Sequence, residues 1–183
     1  MGELRIETDR LILRAWREAD IDPLMQALDT EDVARWLGGR RPRAYYVDLY
    51  QRMAAAQRDM GHCYWIMEAR ADGGILGICG PRRGRHTGTP VLGELELGWR
   101  LAASHWGHGY AKEAARAAID WCRLNRPDDR RIIAYTVPQN SASWGLMIGL
   151  AMRRREDMDF DHPDYPVGHP LSRHIVYALE ESA

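Results

Sequence analysis

The sequence lacks any long apolar segment. Across its 183 residues, no hydrophobic run approaches the roughly 20 residues that a membrane-spanning helix needs. The opening stretch, MGELRIETDRL, carries charges where a secretory signal peptide needs an apolar segment. We therefore expect a protein that works in the cytoplasm and does not partner with a membrane.

The sequence also has almost no net charge, few cysteines and a single lysine. The 25 basic and 26 acidic residues leave a formal net charge of −1, which argues against a general nucleic-acid binder. Cys63, Cys79 and Cys122 are odd in number and show no CxxC spacing. They predict neither a disulfide framework nor a zinc site, so we expect reduced, mostly buried thiols. Lys112 is the only lysine, which we interpret as a compositional bias.

Length and patterning predict one domain with a mixed sheet. A chain of 183 residues is large enough for a single core, so residues 1–183 are expected to form one domain. Predicted strands outnumber helices, and several neighbouring strands look hairpin-linked, which favours an α+β fold over a doubly wound one. The predicted strands are 10–16, 63–70, 75–81, 91–101, 130–137 and 174–180, and the predicted helices are 20–37, 43–60, a helix starting near residues 109–111, and 140–152.

Residues 104–122, SHWGHGYAKEAARAAIDWC, combine two glycines with an alanine-rich helix. A glycine near a helix costs about 1 kcal/mol relative to alanine, so Gly107 and Gly109 need a reason. First-turn amides have no partner within the helix, and the helix dipole adds positive charge there. Glycines let an anion approach those amides closely. The stretch therefore predicts an anion-binding loop, with a tight turn that binds no ligand as the open alternative.

Two common phosphate motifs do not fit this loop. A P-loop needs GxxxxGK[ST], and Lys112 has neither that spacing nor a hydroxyl residue after it. A dinucleotide fingerprint needs a third glycine, but Lys112 occupies that position, and the motif belongs at the first strand of a parallel sheet. Both alternatives are therefore weak.

The segment GELELGWRLAASHWGHGYAKEA resembles the acetyl-CoA-binding motif of the GNAT N-acetyltransferases. Residues 106–111 fill the family pattern [QR]xxGx[GA], with tryptophan first, as is frequent in the branch of the ribosomal-protein N-terminal acetyltransferases RimJ and RimL. The stretches ETDRLILR, YWIM and NSASWGLMIGLAM agree with the same branch, so the resemblance covers roughly residues 5–180. In the last of these, Ile148, Gly149 and Ala151 stand where the family has Glu, Lys and Gly.

The resemblance implies a fold, a reaction and partners. It implies a three-layer GNAT-like fold in which a central mixed, mostly antiparallel sheet is flanked by helices. The implied activity is transfer of the acetyl group of acetyl-CoA to a primary amine, on a protein N-terminus or a small molecule, by direct attack and without a metal. The chain is expected to be a monomer or a homodimer. A non-catalytic acetyl-CoA-binding regulatory module is the alternative.

The resemblance also assigns cofactor-binding residues. Backbone groups of Trp99, Arg100 and Leu101 are expected to pair with the pantetheine arm like a short added strand. Asn140 is expected either to bond pantetheine or to cap a helix. Lys112 is a candidate partner for a cofactor phosphate, or a solvated helix charge. The backbone amides expected to hold the pyrophosphate are those of Gly107, His108, Gly109, Tyr110, Ala111 and Lys112.

Acetyl transfer needs a neutral amine, which points to a carboxylate base. An α-amino group has a pKa of about 8 and a lysine of about 10.4, so a base must remove a proton. Glu94 and Glu96 lie two apart on a predicted strand, hence on one face, just before the cofactor segment. We favour Glu96 as the general base, with Glu94 as the second candidate. The alternative is that both carboxylates lie on an exposed edge of the sheet.

The sequence says less about which residue protonates the departing CoA thiolate and which residues bind the acceptor amine. Many family members use a tyrosine seven residues after the asparagine, but Met147 stands there. Ser143 is the remaining candidate, unless it is an ordinary helix serine. The late segment 153–170 is expected to be an irregular loop, whose aspartates could attract a cationic amine or be solvated charge. They are Asp157, Asp159, Asp161 and Asp164.

Three late histidines are a poor metal signal. His162, His169 and His174 are irregularly spaced and interrupted by prolines. Zinc sites show regular ligand spacing, so no metal site is predicted.

Overall fold

The computed structural model describes residues 4–180. Helices and strands follow one another along this range, with short 3₁₀ turns at Glu18–Asp20, Ala103–His105 and Glu156–Met158. The helices are α1 (Ile21–Leu28), α2 (Glu31–Ala34), α3 (Arg43–Met60), α4 (Tyr110–Asn125) and α5 (Ser141–Gly149). The strands are β1 (Arg5–Glu7), β2 (Leu11–Arg14), β3 (Trp65–Ala69), β4 (Ile75–Arg83), β5 (Leu95–Leu101), β6 (Arg131–Thr136), β7 (Arg153–Arg154), β8 (Phe160–Asp161) and β9 (Arg173–Glu180).

The chain divides into two units. Within the described residues, one comprises 4–82 and 98–118, and the other comprises 83–97 and 119–180. β5 and α4 therefore each contribute residues to both units.

The first unit contains an antiparallel meander, β1–β2–β3–β4. Leu13 pairs with Met67 between β2 and β3, and Ile66 pairs with Ile78 between β3 and β4. The turn that ADGG predicts is confirmed, since Gly73 adopts a φ of 74° between β3 and β4. Positive φ is readily available to glycine and rare for other residues, which explains the glycine there.

A buried ion pair joins β2 to its neighbours in this unit. The Arg14 guanidinium donates two hydrogen bonds of 2.8 Å to Asp20 and one of 2.6 Å to Glu68. Arg14 and Asp20 are only 4% and 5% exposed. The hydrogen bond to Asp20 is the main cause of a raised pKa of Arg14. Each charge is thus compensated inside the core, as burial requires.

The second unit holds the one parallel strand pair described in residues 4–180. Leu95 and Glu96 of β5 pair with Ile132 and Ile133 of β6. β6 then runs antiparallel to β9 over its full length, and β7 and β8 also pair antiparallel with β9. A mixed, mostly antiparallel sheet with helices confirms the predicted α+β class. The buried cluster of this unit consists of Val91, Ile133, Met158, Phe160, Val176 and Ala178.

The predicted helix 20–37 is wrong as a single element. α1 ends at Leu28, and Asp29 leaves helical geometry with φ −85° and ψ 55°. Thr30 is extended and its side chain accepts a hydrogen bond from the Val33 amide, so it caps a new helix, α2. A threonine N-cap supplies an acceptor for an otherwise unpaired first-turn amide. The predicted helix 43–60 is confirmed as α3.

The predicted strand 91–101 begins later than expected, at Leu95. The Gly84 amide donates to the Glu94 carbonyl at 2.9 Å, and the Gly93 amide donates to the Gly84 carbonyl at 2.8 Å. Gly93 has a φ of 80°, which turns the chain before the strand starts. Glu94 therefore lies outside β5, and the expectation that it shares a strand face with Glu96 is wrong.

The segment 153–170 is more ordered than predicted. Its first part forms β7, a 3₁₀ turn and β8, all of which lie beside β9 in the second unit. Met158 and Phe160, which the loop interpretation left unassigned, are buried in the core cluster. Apolar residues at these two positions explain why the segment packs.

The predicted helix 140–152 is shorter, ending at Gly149. The Met152 amide donates to the Met147 carbonyl at 3.0 Å, and the Ala151 amide donates to the Ile148 carbonyl at 2.9 Å. This pair of bonds is a Schellman motif, which needs a left-handed residue. That residue is Ala151, with a φ of 63°, the one non-glycine positive φ found in the described chain.

Candidate active site

Gly107 and Gly109 make the turn into α4. Their φ angles are 78° and 81°, a region that L side chains rarely adopt, so the two glycines are required by the backbone itself. A Cβ on Gly107 would meet no heavy atom within 4 Å, and one on Gly109 would meet only the Arg10 guanidinium at 3.5 Å. The loop backbone is therefore open to an approaching ligand.

The start of α4 matches the prediction. The Glu113 amide donates to the Gly109 carbonyl at 3.1 Å, the first bond of the helix. The amides of Tyr110, Ala111 and Lys112 precede that bond and lie where helix amides lack an internal partner. Lys112 is partly buried and forms no ion pair with any residue in 4–180. These groups can hold an anion.

The end of β5 presents one backbone edge to β4. The Ala102 amide donates to the Leu76 carbonyl at 2.8 Å, and a Cβ on Gly77 would overlap the Arg100 carbonyl oxygen. Backbone groups alternate sides along a strand, so those of Trp99 and Leu101 point away from β4. Trp99 and Leu101 thus point in the direction from which an added chain would pair, whereas Arg100 faces β4.

Two side-chain hydrogen bonds involve the end of β5. The Trp106 indole donates to the Leu101 carbonyl at 2.9 Å, and the Arg100 guanidinium donates to the Tyr45 hydroxyl at 3.1 Å. Burial raises the pKa of Tyr45, but the charge of Arg100 and its hydrogen bond outweigh that, leaving the pKa below its usual value. Since the carbonyl of Leu101 is engaged, its amide is the group of this residue that could donate to a developing oxyanion.

The sequence did not predict the contacts that hold the loop. Thr8 and Arg10, just before β2, bond the Glu113 carboxylate in α4. Arg10 also donates to the His108 carbonyl at 2.9 Å. The stretch ETDRLILR contributes to the family resemblance, but nothing in its spacing says which distant residue it meets.

The two candidate bases have different surroundings in the second unit. Glu96 is 5% exposed, so an exposed edge is excluded for it, and its carboxylate accepts a hydrogen bond of 2.8 Å from the Tyr135 hydroxyl. Glu94 forms an ion pair with Arg131 at 2.9 Å. The Glu94 carboxylate is thus already engaged by a charged partner, which favours Glu96 as the candidate base. Tyr135 was not predicted from the sequence.

Asn140 and Ser143 meet at the start of α5. Asn140 is the N-cap, and its side-chain oxygen accepts from the Ser143 amide at 3.4 Å while its amide donates to Thr136 at 3.1 Å. The Ser143 hydroxyl is partly buried and bonds no described residue. Met147, which stands where many family members have tyrosine, is 1% exposed and belongs to the core.

The late aspartates are mostly paired with arginines. Asp157 pairs with Arg155 at 2.8 Å, and Asp159 pairs with Arg154 and, at 3.5 Å, with Arg173. Their charge is therefore largely compensated within the second unit. A free acidic patch for a cationic acceptor is not what these contacts favour.

The remaining predictions concern the cysteines, the potential metal ligands and the helices. The three cysteines are free and buried, as predicted, and burial raises the pKa of Cys122 to about 12. Within residues 4–180, no group of three or more His, Cys, Asp or Glu side chains is arranged to hold a metal ion. Nor does any helix in that range have the length and apolarity to cross a membrane.

A mixed sheet with helices and a glycine loop that leads into α4 is the arrangement that the resemblance to the GNAT family implied. The family model "Acetyltransferase (GNAT) domain" matches residues 10–153. The uncharacterized protein YkkB of Bacillus subtilis (strain 168) is 32% identical over 146 residues, covering 78% of this chain and 81% of YkkB. The chain belongs to the GNAT acetyltransferase family, and it is an acetyl-CoA-dependent N-acetyltransferase.

Solved structures agree on the fold. The acetyltransferase from Agrobacterium tumefaciens str. C58 has a TM-score of 0.77 at 24% identity, covering 99% of this chain and 96% of that one. RimL, a ribosomal L7/L12 alpha-N-protein acetyltransferase, also has a TM-score of 0.77, at 15% identity over 99% of this chain and 96% of its own. The predicted GNAT-like fold, a mixed and mostly antiparallel sheet with helices, is therefore confirmed.

Proposed function

We propose that this enzyme acetylates a primary amine, on a protein N-terminus or a small molecule, by direct attack on acetyl-CoA, with Glu96 as the base. The observation that carries the proposal is the buried Glu96 carboxylate, which the Tyr135 hydroxyl orients through a 2.8 Å hydrogen bond. A buried carboxylate held in one orientation suits a base, because proton transfer needs a short, aligned contact.

The cofactor site follows from the open glycine loop. The amides from Gly107 to Lys112 would hold the pyrophosphate, and the Lys112 ammonium would contact a phosphate. Trp99 would pair with the pantetheine arm through its outward backbone groups, the Leu101 amide would face the thioester carbonyl at the end of that arm, and Arg100 would support the segment from the β4 side. Asn140 would contact the same arm or serve only as the cap of α5. When bound, acetyl-CoA supplies an activated thioester.

The protein groups would then divide the proton and charge transfers. Glu96 would take the proton that the attacking amine must lose, and the Leu101 amide would donate to the oxygen that gains charge. The free hydroxyl of Ser143 would donate to the departing sulfur, since Met147 offers no acidic hydrogen. Glu94, which is engaged by Arg131 in an ion pair, is the second candidate base.

The acceptor is proposed only as a class. A protein N-terminus draws support from the resemblance to the RimJ and RimL branch, and a small-molecule amine is compatible with the same chemistry. We also propose that residues 1–183 act as one acetyltransferase domain, as a monomer or a homodimer.

The test is release of free CoA thiol from acetyl-CoA with a panel of amines. The panel should pair each peptide bearing a free N-terminus with the same peptide blocked by acetylation, and each small amine with its N-methylated quaternary salt. We expect release with free amines only. CoA release that never depends on a free amine would overturn the proposed transfer.

A further inference from the structure

The Glu113 carboxylate in the first turn of α4 is held by residues from the start of the chain. It accepts hydrogen bonds from the Thr8 hydroxyl at 2.6 Å, the Arg10 amide at 2.9 Å and the Arg10 side chain at 2.7 Å. Its side chain is 17% exposed. Burial raises the pKa of Glu113, but the bonds from Thr8 and Arg10 outweigh it, leaving the pKa below its usual value. The pair is therefore charged and fixed.

The same Arg10 guanidinium touches the glycine loop. Its Nη1 donates to the His108 carbonyl at 2.9 Å, and its carbon lies 4.4 Å from the centre of the Tyr110 ring. Its Nη2 lies 3.5 Å from where a Cβ on Gly109 would be. One side chain thus connects a helix carboxylate, a loop carbonyl and an aromatic ring.

Geometry links this contact to the loop amides. In a trans peptide the carbonyl and the following N–H point in opposite directions. Holding the His108 carbonyl toward Arg10 therefore turns the Gly109 N–H away from Arg10. Glycines have several accessible backbone conformations, so a loop with two of them needs such a constraint to keep one orientation.

We propose that Arg10 is a positioning residue for cofactor binding, which fixes the Gly107–Gly109 backbone so that the Gly109 amide faces the pyrophosphate. This rests on the proposed role of that loop. Arg10 acts through the backbone it holds, and its bond to Glu113 fixes the guanidinium. A purely structural role, tying the start of β2 to α4, would affect stability but not the cofactor.

The test uses the full chain and calorimetric titration with CoA. Arg10→Gln should weaken CoA affinity about 10-fold, because a charged hydrogen bond is lost from the loop. It should raise KM for acetyl-CoA while kcat at saturation changes less than about twofold. Arg5→Gln, which breaks the exposed Arg5–Glu7 pair on neighbouring β1, is the matched control and should bind CoA normally.

Arg10→Lys separates positioning from stability. A lysine keeps a positive charge opposite Glu113, but its single ammonium cannot span both that carboxylate and the His108 carbonyl as the guanidinium fork does. We expect Arg10→Lys to recover the melting temperature without recovering CoA affinity.

Two results would overturn the proposal. Wild-type CoA affinity in folded Arg10→Gln would do so, as would recovery of affinity and stability together in Arg10→Lys. A different failure concerns the proposed loop itself: if Gly109→Val binds CoA as tightly as the wild type, the loop is not the cofactor site, and the role of Arg10 falls with it.

Discussion

The Tyr135 hydroxyl donates a 2.8 Å hydrogen bond to the carboxylate of Glu96, which is 5% exposed. Tyr135 lies two residues after Ile133, the β6 residue that pairs with Glu96. A one-residue change of register would turn either side chain to the opposite face of its strand. The contact therefore depends on the parallel pairing of β5 and β6.

Glu96→Gln should reduce turnover strongly. A general base typically contributes about 10²–10⁴-fold, and glutamine cannot accept the proton of the amine. We expect a loss in that range at pH 7, with unchanged acetyl-CoA affinity, and a smaller loss toward pH 9 as the amine deprotonates in solution. Initial rates from pH 6 to 9 measure this.

Glu94→Gln is the matched control for that variant. Its carboxylate neutralises Arg131, so the change should affect stability more than turnover. If both variants keep full activity across this pH range, neither carboxylate is the base.

Gly109→Val should impair cofactor binding. A branched side chain at a φ of 81° strains the loop, and its bulk lies beside the amides that would meet the pyrophosphate. We expect CoA affinity to fall at least about tenfold, or about 1.4 kcal/mol, in a calorimetric titration. Gly88→Val is the control, because Gly88 has a similar φ of 75°, no heavy atom within 4 Å of a Cβ placed on it, and a position outside the proposed site. Equal effects of both variants on CoA binding would contradict the prediction.

Ser143→Ala should slow turnover only modestly. A thiol has a pKa of about 8.5, so water can protonate the departing thiolate without the serine hydroxyl. We expect kcat to fall less than about 10-fold, below the effect typical of a general base. Ser141→Ala, at an exposed first-turn serine of the same helix, should leave kcat unchanged. A loss as large as that of Glu96→Gln would show that Ser143 does more than assist.

Ala151→Gly should stabilise the protein. Ala151 occupies the left-handed position of the Schellman motif that ends α5, where glycine has no steric penalty. The free energy of unfolding in urea should rise by about 1 kcal/mol. Ala117→Gly, inside α4, should have the opposite sign, since glycine lowers helix stability. Destabilisation by Ala151→Gly would mean that the alanine side chain makes a contact worth more than the strain.

His174 should make stability depend on pH below neutrality. Burial lowers the pKa of His174 from its usual 6.5, and the charge of His162 adds to this. The unfolded chain therefore binds a proton more readily than the folded one. Its contribution to stability is complete above pH 6.5 and is lost as the pH falls toward the folded pKa. Three groups raise the pKa of His174 and so oppose this effect: the Ser172 carbonyl, Glu96 and Asp161.

Urea unfolding at pH 7.5, 6.5 and 5.5 measures this effect. His174→Gln should reduce the loss of stability between pH 6.5 and 5.5, whereas His105→Gln should leave that loss unchanged. The same slope in His174→Gln and the wild type would rule out His174 as its source.

Several elements were predictable from local spacing alone. The alanine face after Tyr110 predicted α4, the Asp-Gly turn predicted the β3–β4 hairpin, and the paired glycines marked the loop before α4. Each of these signals lies within a few residues, where helix periodicity and turn chemistry act. Asn140 as a cap was also among the open alternatives, because capping is a local hydrogen bond.

The environments of the candidate bases and of the glycine loop depend on residues far away in the chain. Arg10 meets Glu113 across 103 positions, and Glu96 meets Tyr135 across 39. Glu94 meets Arg131 across 37 positions.

The sequence by itself determined the family, the α+β class and the glycine loop, since motifs and periodicity are written in neighbouring residues. Only the tertiary structure decided that Glu96 is buried while Glu94 pairs with Arg131, and that Arg10 holds the loop. Burial and charge pairing are set by which distant strands and helices pack together, and no local pattern specifies that.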